Sequence, residues 1–177
     1  MATTPTQTGV RAFADRLFSN RMLAAAATLL FVVAAAAILK GRSDWPQIPR
    51  LVWLHLGSVL TATALTPIML LRRKGDDRHR TLGYAWVTAM VMTAATSLAF
   101  KTGVAGPTLG VFSGDFSPIH LLSIYTLLQV PLIVARARRH NWAGHERAVR
   151  SMVIGALLVA GFFTFPFDRM LGAWLFA

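Results

Sequence analysis

The 177-residue chain has no cysteine, which excludes disulfides, thiolate metal sites and cysteine nucleophiles. Charge is also scarce: Asp, Glu, Lys and Arg make up 14% of residues, where a soluble domain carries about a quarter. Acids are the scarcest, seven against eighteen Lys and Arg. No Asp or Glu falls within the long apolar runs, so these runs cannot supply the carboxylates of a dizinc or diiron site. No glycine-rich phosphate loop follows a strand pattern, and no Ser-His-acid set is recognisable. The net charge of +11 would suit a nucleic-acid binder in a soluble protein. Here the basic residues sit between apolar runs, where the positive-inside rule accounts for them, and no nucleic-acid partner is expected.

What the chain does have is long hydrophobic runs. Stretches of about 18 or more apolar residues read as membrane spans, and five are expected, over residues 22–39, 51–71, 81–100, 119–135 and 148–167. The fold class is therefore an all-α membrane protein, with residues 22–177 as one integral membrane domain and the lipid bilayer as its first partner. Residues 1–21 form a separate N-terminal segment, in which "VRAFADRLF" can make a short amphipathic surface helix. The first run is long for a cleavable signal, and Ile38-Leu39-Lys40 is a poor cleavage context. Between the first two runs, Pro46 and Pro49 predict a loop, with Trp45 and Trp53 suited to a membrane interface. The third helix is expected to start near Asp77 as a cap, and the fifth near Asn141. The stretch 101–118 reads as a turn-rich connection, Asp168-Arg169 as an interfacial ion pair, and the tail as short and apolar.

Thirteen of the eighteen Lys and Arg lie in the N-terminal segment, at 72–80 and at 136–150. The remaining five lie in the alternate connections. This predicts a bacterial inner (cytoplasmic) membrane protein with its N-terminus in the cytoplasm and its C-terminus in the periplasm.

The chain also repeats itself. "HLGSVLTATALTPIMLLRRKGDDRHR" starts at His55 and "HLLSIYTLLQVPLIVARARRHNWAGHER" at His120. Each opens His-Leu-x-Ser, carries a mid-helix proline (Pro67, Pro131) and runs into a basic loop. Each then places a second histidine at the start of the next helix, His79 and His145, with an arginine close behind, Arg80 and Arg147. Helix 1 thus precedes a four-helix bundle made of two repeated hairpins, helices 2–3 and 4–5, related by an axis along the membrane normal. That axis would bring His55 to His120 at one end and His79 to His145 at the other, about 25 Å apart. His140 falls outside the repeat and is expected to cap its loop.

Ionisable residues inside a membrane are usually functional, and imidazoles from facing helices of a bundle can ligate haem iron. The expected site is two b haems, one between His55 and His120 and one between His79 and His145. Arg80 and Arg147 would pair with propionates. Small residues such as Gly57, Gly83, Gly155 and Gly161 would leave room for the macrocycle. Two such groups could pass electrons across the bilayer to a redox partner or within a larger complex. The same residues also suit a cofactor-free accessory or scaffold subunit, or a small transporter, because small residues line any tight membrane-helix interface.

"SPIHLLSIYTLL" and "ARRHNWAGHERAVRSMVIGALLVAGFFTF", with the H-R-x-x-G start seen in "HRTLG", resemble a bacterial predicted-membrane-protein family of unknown function over roughly residues 50–170. The four-histidine layout is similar to the ascorbate-reducible transmembrane cytochrome b family. That similarity implies that helices 2 and 4 share one haem through His55 and His120, and helices 3 and 5 the other through His79 and His145. The spacing within each hairpin is shorter here than in that family, and no ascorbate-site lysine or arginine motif is evident.

Overall fold

In the computed structural model, residues 19–99, 118–166 and 169–177 are described. The expected amphipathic segment, most of the 101–118 connection and the Asp168 end of the Asp168-Arg169 pair lie outside them. Among the described residues the chain is helical, with no strand. The helices are α1 (Asn20–Lys40), α2 (Arg50–Leu71), α3 (Asp77–Leu98), α4 (Pro118–Arg138), α5 (Trp142–Met152), α6 (Ala160–Phe162) and α7 (Met170–Phe176).

Local chemistry explains several boundaries. Ser19 caps α1 by accepting the Met22 N–H. Asp76 caps α3 by accepting the His79 N–H at 2.6 Å; the expected cap, Asp77, is instead the first helical residue. Asn141 caps α5 by accepting the Gly144 N–H at 3.0 Å. The α4 helix ends with His140 in the left-handed region (φ 56°). The Asn141 N–H returns to the Arg136 carbonyl and the His140 N–H to that of Ala137, so His140 does close the loop. Pro67 and Pro131 lie within α2 and α4 as expected.

Two readings are corrected. The 40–50 connection is not a plain loop: Gly41–Gln47 continues from α1 as a 3-10 helix that contains Pro46. The fifth helix does not run unbroken over 148–167. It begins at Trp142, passes through a π-helical segment, Val153–Val159, and ends at Phe162. The short apolar tail, as expected in length and character, forms the helix α7 and packs back on α1. The Trp174 indole donates to Asp44 Oδ2 at 2.8 Å, and Lys40 Nζ donates to the Leu175 carbonyl at 2.7 Å. Gly41 is needed there, because a Cβ would overlap the Trp174 ring.

Three helices are long and apolar enough to cross a membrane: α1 with its 3-10 continuation, α2, and α4 from His120 onward. The surface fits that reading. Leu121, Ile124, Leu128 and Leu132 form an exposed apolar stripe on α4, while His120, Ser123 and Thr126 are buried. A helix that turns hydroxyls inward and leucines outward is stable only where the surroundings are apolar too.

Each helix packs chiefly on the next: α1 on α2, α2 on α3, α3 on α4, α4 on α5. The π-helical segment returns to α1. The main core joins Ala24, Ala62, Met90, Ile133 and Met152 from successive helices. A smaller core of Ala37, Ile38, Leu56, Leu171 and Trp174 holds α7 against α1 and α2. Gly161 serves helix packing rather than a cofactor, since a Cβ there would meet Leu30 of α1 at 2.5 Å.

Candidate functional site

The α2–α3 and α4–α5 turns lie at one end of the bundle, together with Arg72, Arg73, Lys74, Arg136, Arg138 and Arg139. Beneath them lies a cavity of about 400 Å³, within the range of small-ligand sites. Its walls come from the ends of α2 and α4 and the beginnings of α3 and α5. Thr66, Trp86, Val87, Ile133 and Val153 make a largely apolar interior, and Lys74, Arg80 and Arg138 stand among its cations.

His79 and His145 both line this cavity. The equivalent helix starts bring them there: each follows a side-chain cap, Asp76 three residues before His79 and Asn141 four residues before His145. His145 Nδ1 lies 3.1 Å from the Ile133 carbonyl. A carbonyl can only accept, so Nδ1 carries a proton, which in the neutral tautomer leaves the Nε2 lone pair for a ligand. His79 differs. Its Nδ1 is buried without a hydrogen-bond partner. Burial holds the imidazole below its ordinary range, and positive charge on His145, Lys74 and Arg72 pushes the same way, against Asp76. Both effects favour a neutral ring, the form that binds metal.

The polar rim is ordered. Glu146 pairs with Lys74 at 2.9 Å and with Arg150 at 2.9 Å, and accepts from Asn20 at 3.2 Å. It therefore ties the start of α1 and the α2–α3 turn to α5. The Lys74 hydrogen bond holds its carboxyl below the usual range, helped by Asn20 and Arg150 and opposed by burial. Arg138 Nη2 donates to Tyr84 Oη at 3.5 Å. Inside, the Trp86 indole donates to Thr66 Oγ1 at 2.9 Å. Gly83 leaves space: a Cβ there would meet only the end of Met69, at 3.5 Å.

The other expected site residues are placed differently. Arg80 borders the cavity, although it is exposed and paired with Asp77 at 3.5 Å. Arg147 does not. Its Nε donates to the Ala143 carbonyl, and it lines a furrow on the outer surface. His55 and His120 line neither the cavity nor the furrow. The α3 helix packs on both their helices and offers hydroxyls to each side. His55 Nδ1 lies 3.0 Å from Thr96 Oγ1, whose own proton goes to the Met92 carbonyl at 2.7 Å. Thr93 donates to Ser58, and Ser123 donates to Ser97. A Cβ at the exposed Gly57 would meet nothing within 4 Å, so this glycine clears no room inside the bundle.

Sequence reasoning missed Glu146, Lys74, Arg138, Tyr84 and the Thr66–Trp86 pair. One signal was available. Glu146 is the single acid in the basic 136–150 segment, and a lone acid among cations usually has a structural partner. Among the described residues no group of three or more His, Cys, Asp or Glu could hold a metal ion. The chemistry on offer is two imidazoles in an apolar cavity rimmed by cations. Such a site can supply two nitrogen ligands and meet the anionic edge of a flat, apolar molecule. No protein-family model, curated protein or solved structure matches the chain.

Proposed function

We propose that the protein is an integral membrane b-type haem protein, holding one haem between His79 and His145 at its cytoplasmic face. The observation that carries this reading is the pairing of the two histidines in one cavity, where the His145 Nδ1 proton is committed to a backbone carbonyl and the buried His79 Nδ1 lacks a partner. The Ile133 carbonyl is the outer contact that orients a ligating imidazole and raises its basicity. Lys74, Arg80 and Arg138 would meet the propionates, and the walls from Trp86 to Val153 would exclude water. When bound, haem supplies one-electron redox chemistry.

The reading includes five spans, with α3 and the α5–α6 run crossing beside the three more apolar helices. The 22 residues of α3 reach about 33 Å, enough for a bilayer core. The basic end is then cytoplasmic, because it carries the Lys and Arg excess. The two-hairpin repeat is part of this proposal, supported by the matching caps and by one left-handed residue in each turn, Gly75 and His140. A second haem between His55 and His120 has no comparable support and is not proposed.

The test is an absorption spectrum and iron assay on protein purified in mild detergent. One haem per chain is expected, lost in His145→Ala and His79→Ala and kept in His55→Ala and His120→Ala. A folded protein without a Soret band or iron would overturn the assignment, as would full haem content in His145→Ala.

A further inference from the structure

A second concavity lies on the outer surface between α4 and α5, a furrow of about 550 Å³. We infer that it seats an anionic phospholipid of the leaflet at the basic end, with the lipid phosphate on Arg147 and Ser151. This inference rests on the membrane-spanning reading above and is independent of haem.

The furrow is graded along its length. Arg147 lies towards the basic end, Ser151 is one turn further along the same face, and Ile154, Gly155 and Leu122 follow. Cation, hydroxyl and then apolar trough is the order in which a phospholipid presents phosphate, glycerol and acyl chain. Basic pockets between membrane helices on the cytoplasmic side bind anionic headgroups in this way.

The charge is available. Arg147 is exposed and makes no ion pair among the described residues. Its Nε donates to the Ala143 carbonyl at 3.4 Å, which steadies the exposed side chain. Arg150 also lines the furrow, but Glu146 already offsets its charge at 2.9 Å. The hydroxyl is available too. Gln129 Nε2 donates to Tyr125 Oη at 3.3 Å, and Tyr125 lies 2.6 Å from Ser151 Oγ. Either hydroxyl can donate in the Tyr125–Ser151 contact; when Tyr125 donates, the Ser151 proton is left for a phosphate oxygen. Gly155 keeps the trough open, since a Cβ there would meet only the Tyr125 ring, at 4.0 Å.

The test is native mass spectrometry of the full chain in non-ionic detergent, titrated with phosphatidylglycerol or phosphatidylcholine of matched chains. Phosphatidylglycerol should bind more tightly. Arg147→Gln should weaken it by about tenfold, the scale of one charge-assisted hydrogen bond, and remove the preference. Gly155→Leu should weaken both lipids by filling the trough. Circular dichroism and thermal unfolding check that both variants are folded. Equal binding of the two lipids by the wild type overturns the inference, as does unchanged phosphatidylglycerol binding in Arg147→Gln. Displacement of phosphatidylglycerol by millimolar inorganic phosphate would assign the arginine to free phosphate instead and overturn the lipid site. Resistance of the protein to extraction from membranes by alkaline carbonate tests the spanning reading separately.

Discussion

Replacing Thr66 by valine removes one hydroxyl from the cavity wall and changes the shape of the side chain little. The structure says what that oxygen does. Thr66 is 1% exposed and Trp86 3%. Thr66 Oγ1 accepts the Trp86 indole proton at 2.9 Å and donates to the Ala62 carbonyl at 2.8 Å. The carbonyl keeps its helix bond after the change, but the indole N–H is stranded in an apolar wall. A buried donor left unsatisfied costs about 1–3 kcal/mol in water-soluble proteins. Interhelical hydrogen bonds in membranes average about 0.6 and reach about 1.7 kcal/mol, because the reference state also finds partners. A cost of about 1–2 kcal/mol is therefore expected. The assay is reversible unfolding in mixed micelles, followed by far-ultraviolet circular dichroism. Trp86→Phe provides the control, since it removes the donor and leaves Thr66 bonded to Ala62. In that background Thr66→Val should cost less than about 0.5 kcal/mol. A neutral Thr66→Val, or an equal cost in both backgrounds, would refute the reasoning.

Four further predictions concern the same molecule. The folded pKa of His79 lies below its ordinary value, so between the two values the unfolded chain binds more protons and stability rises with pH. The melting temperature should hold above about pH 6.5 and fall as the pH drops below it, and His79→Gln should remove that part of the slope; an unchanged slope in His79→Gln would count against it. Asp76 and Glu146, both held low by cationic partners, should lose their contributions only below the ordinary carboxylate range. Gly161→Leu forces a side chain into Leu30 and should destabilise by about 1–3 kcal/mol, whereas Gly57→Leu should be neutral within about 0.5 kcal/mol; equal effects in the unfolding assay would show that α1 does not press on Gly161. Trp174→Ala should cost about 3 kcal/mol and expose α7 to limited proteolysis, a result that an undocked tail would not give.

Much of the helical frame was legible in advance. Apolar run length is a one-dimensional property, so the first, second and fourth runs coincide with α1, α2 and α4 within a few residues. Caps are local as well: the Asn141 start was readable, and Asp76 displaced Asp77 by a single position. The fifth helix was harder. A π-helical segment makes backbone bonds one residue longer than usual, and nothing in "VIGALLV" distinguishes it from an ordinary apolar helix. The α7 clamp depends on Trp174 meeting Asp44, 130 residues away in the chain, which no local pattern records.

The candidate site divides in the same way. The residues of "GDDRHR" and "HNWAGHER" by themselves determined two basic turns, two capped helix starts and a histidine just inside each. These follow from short-range geometry, since a side-chain cap fixes the residues of the next turn. Only the tertiary structure decided which side chains meet. It sends His79 and His145 into one cavity, puts α3 hydroxyls beside His55, and turns Arg147 out to the furrow while Arg138 and Lys74 border the cavity. Whether two rings meet depends on helix rotation and crossing, which sum packing over the whole bundle. A change of one residue in register moves a side chain by about 100° around its helix, so residue spacing alone names the candidates but not the pairs.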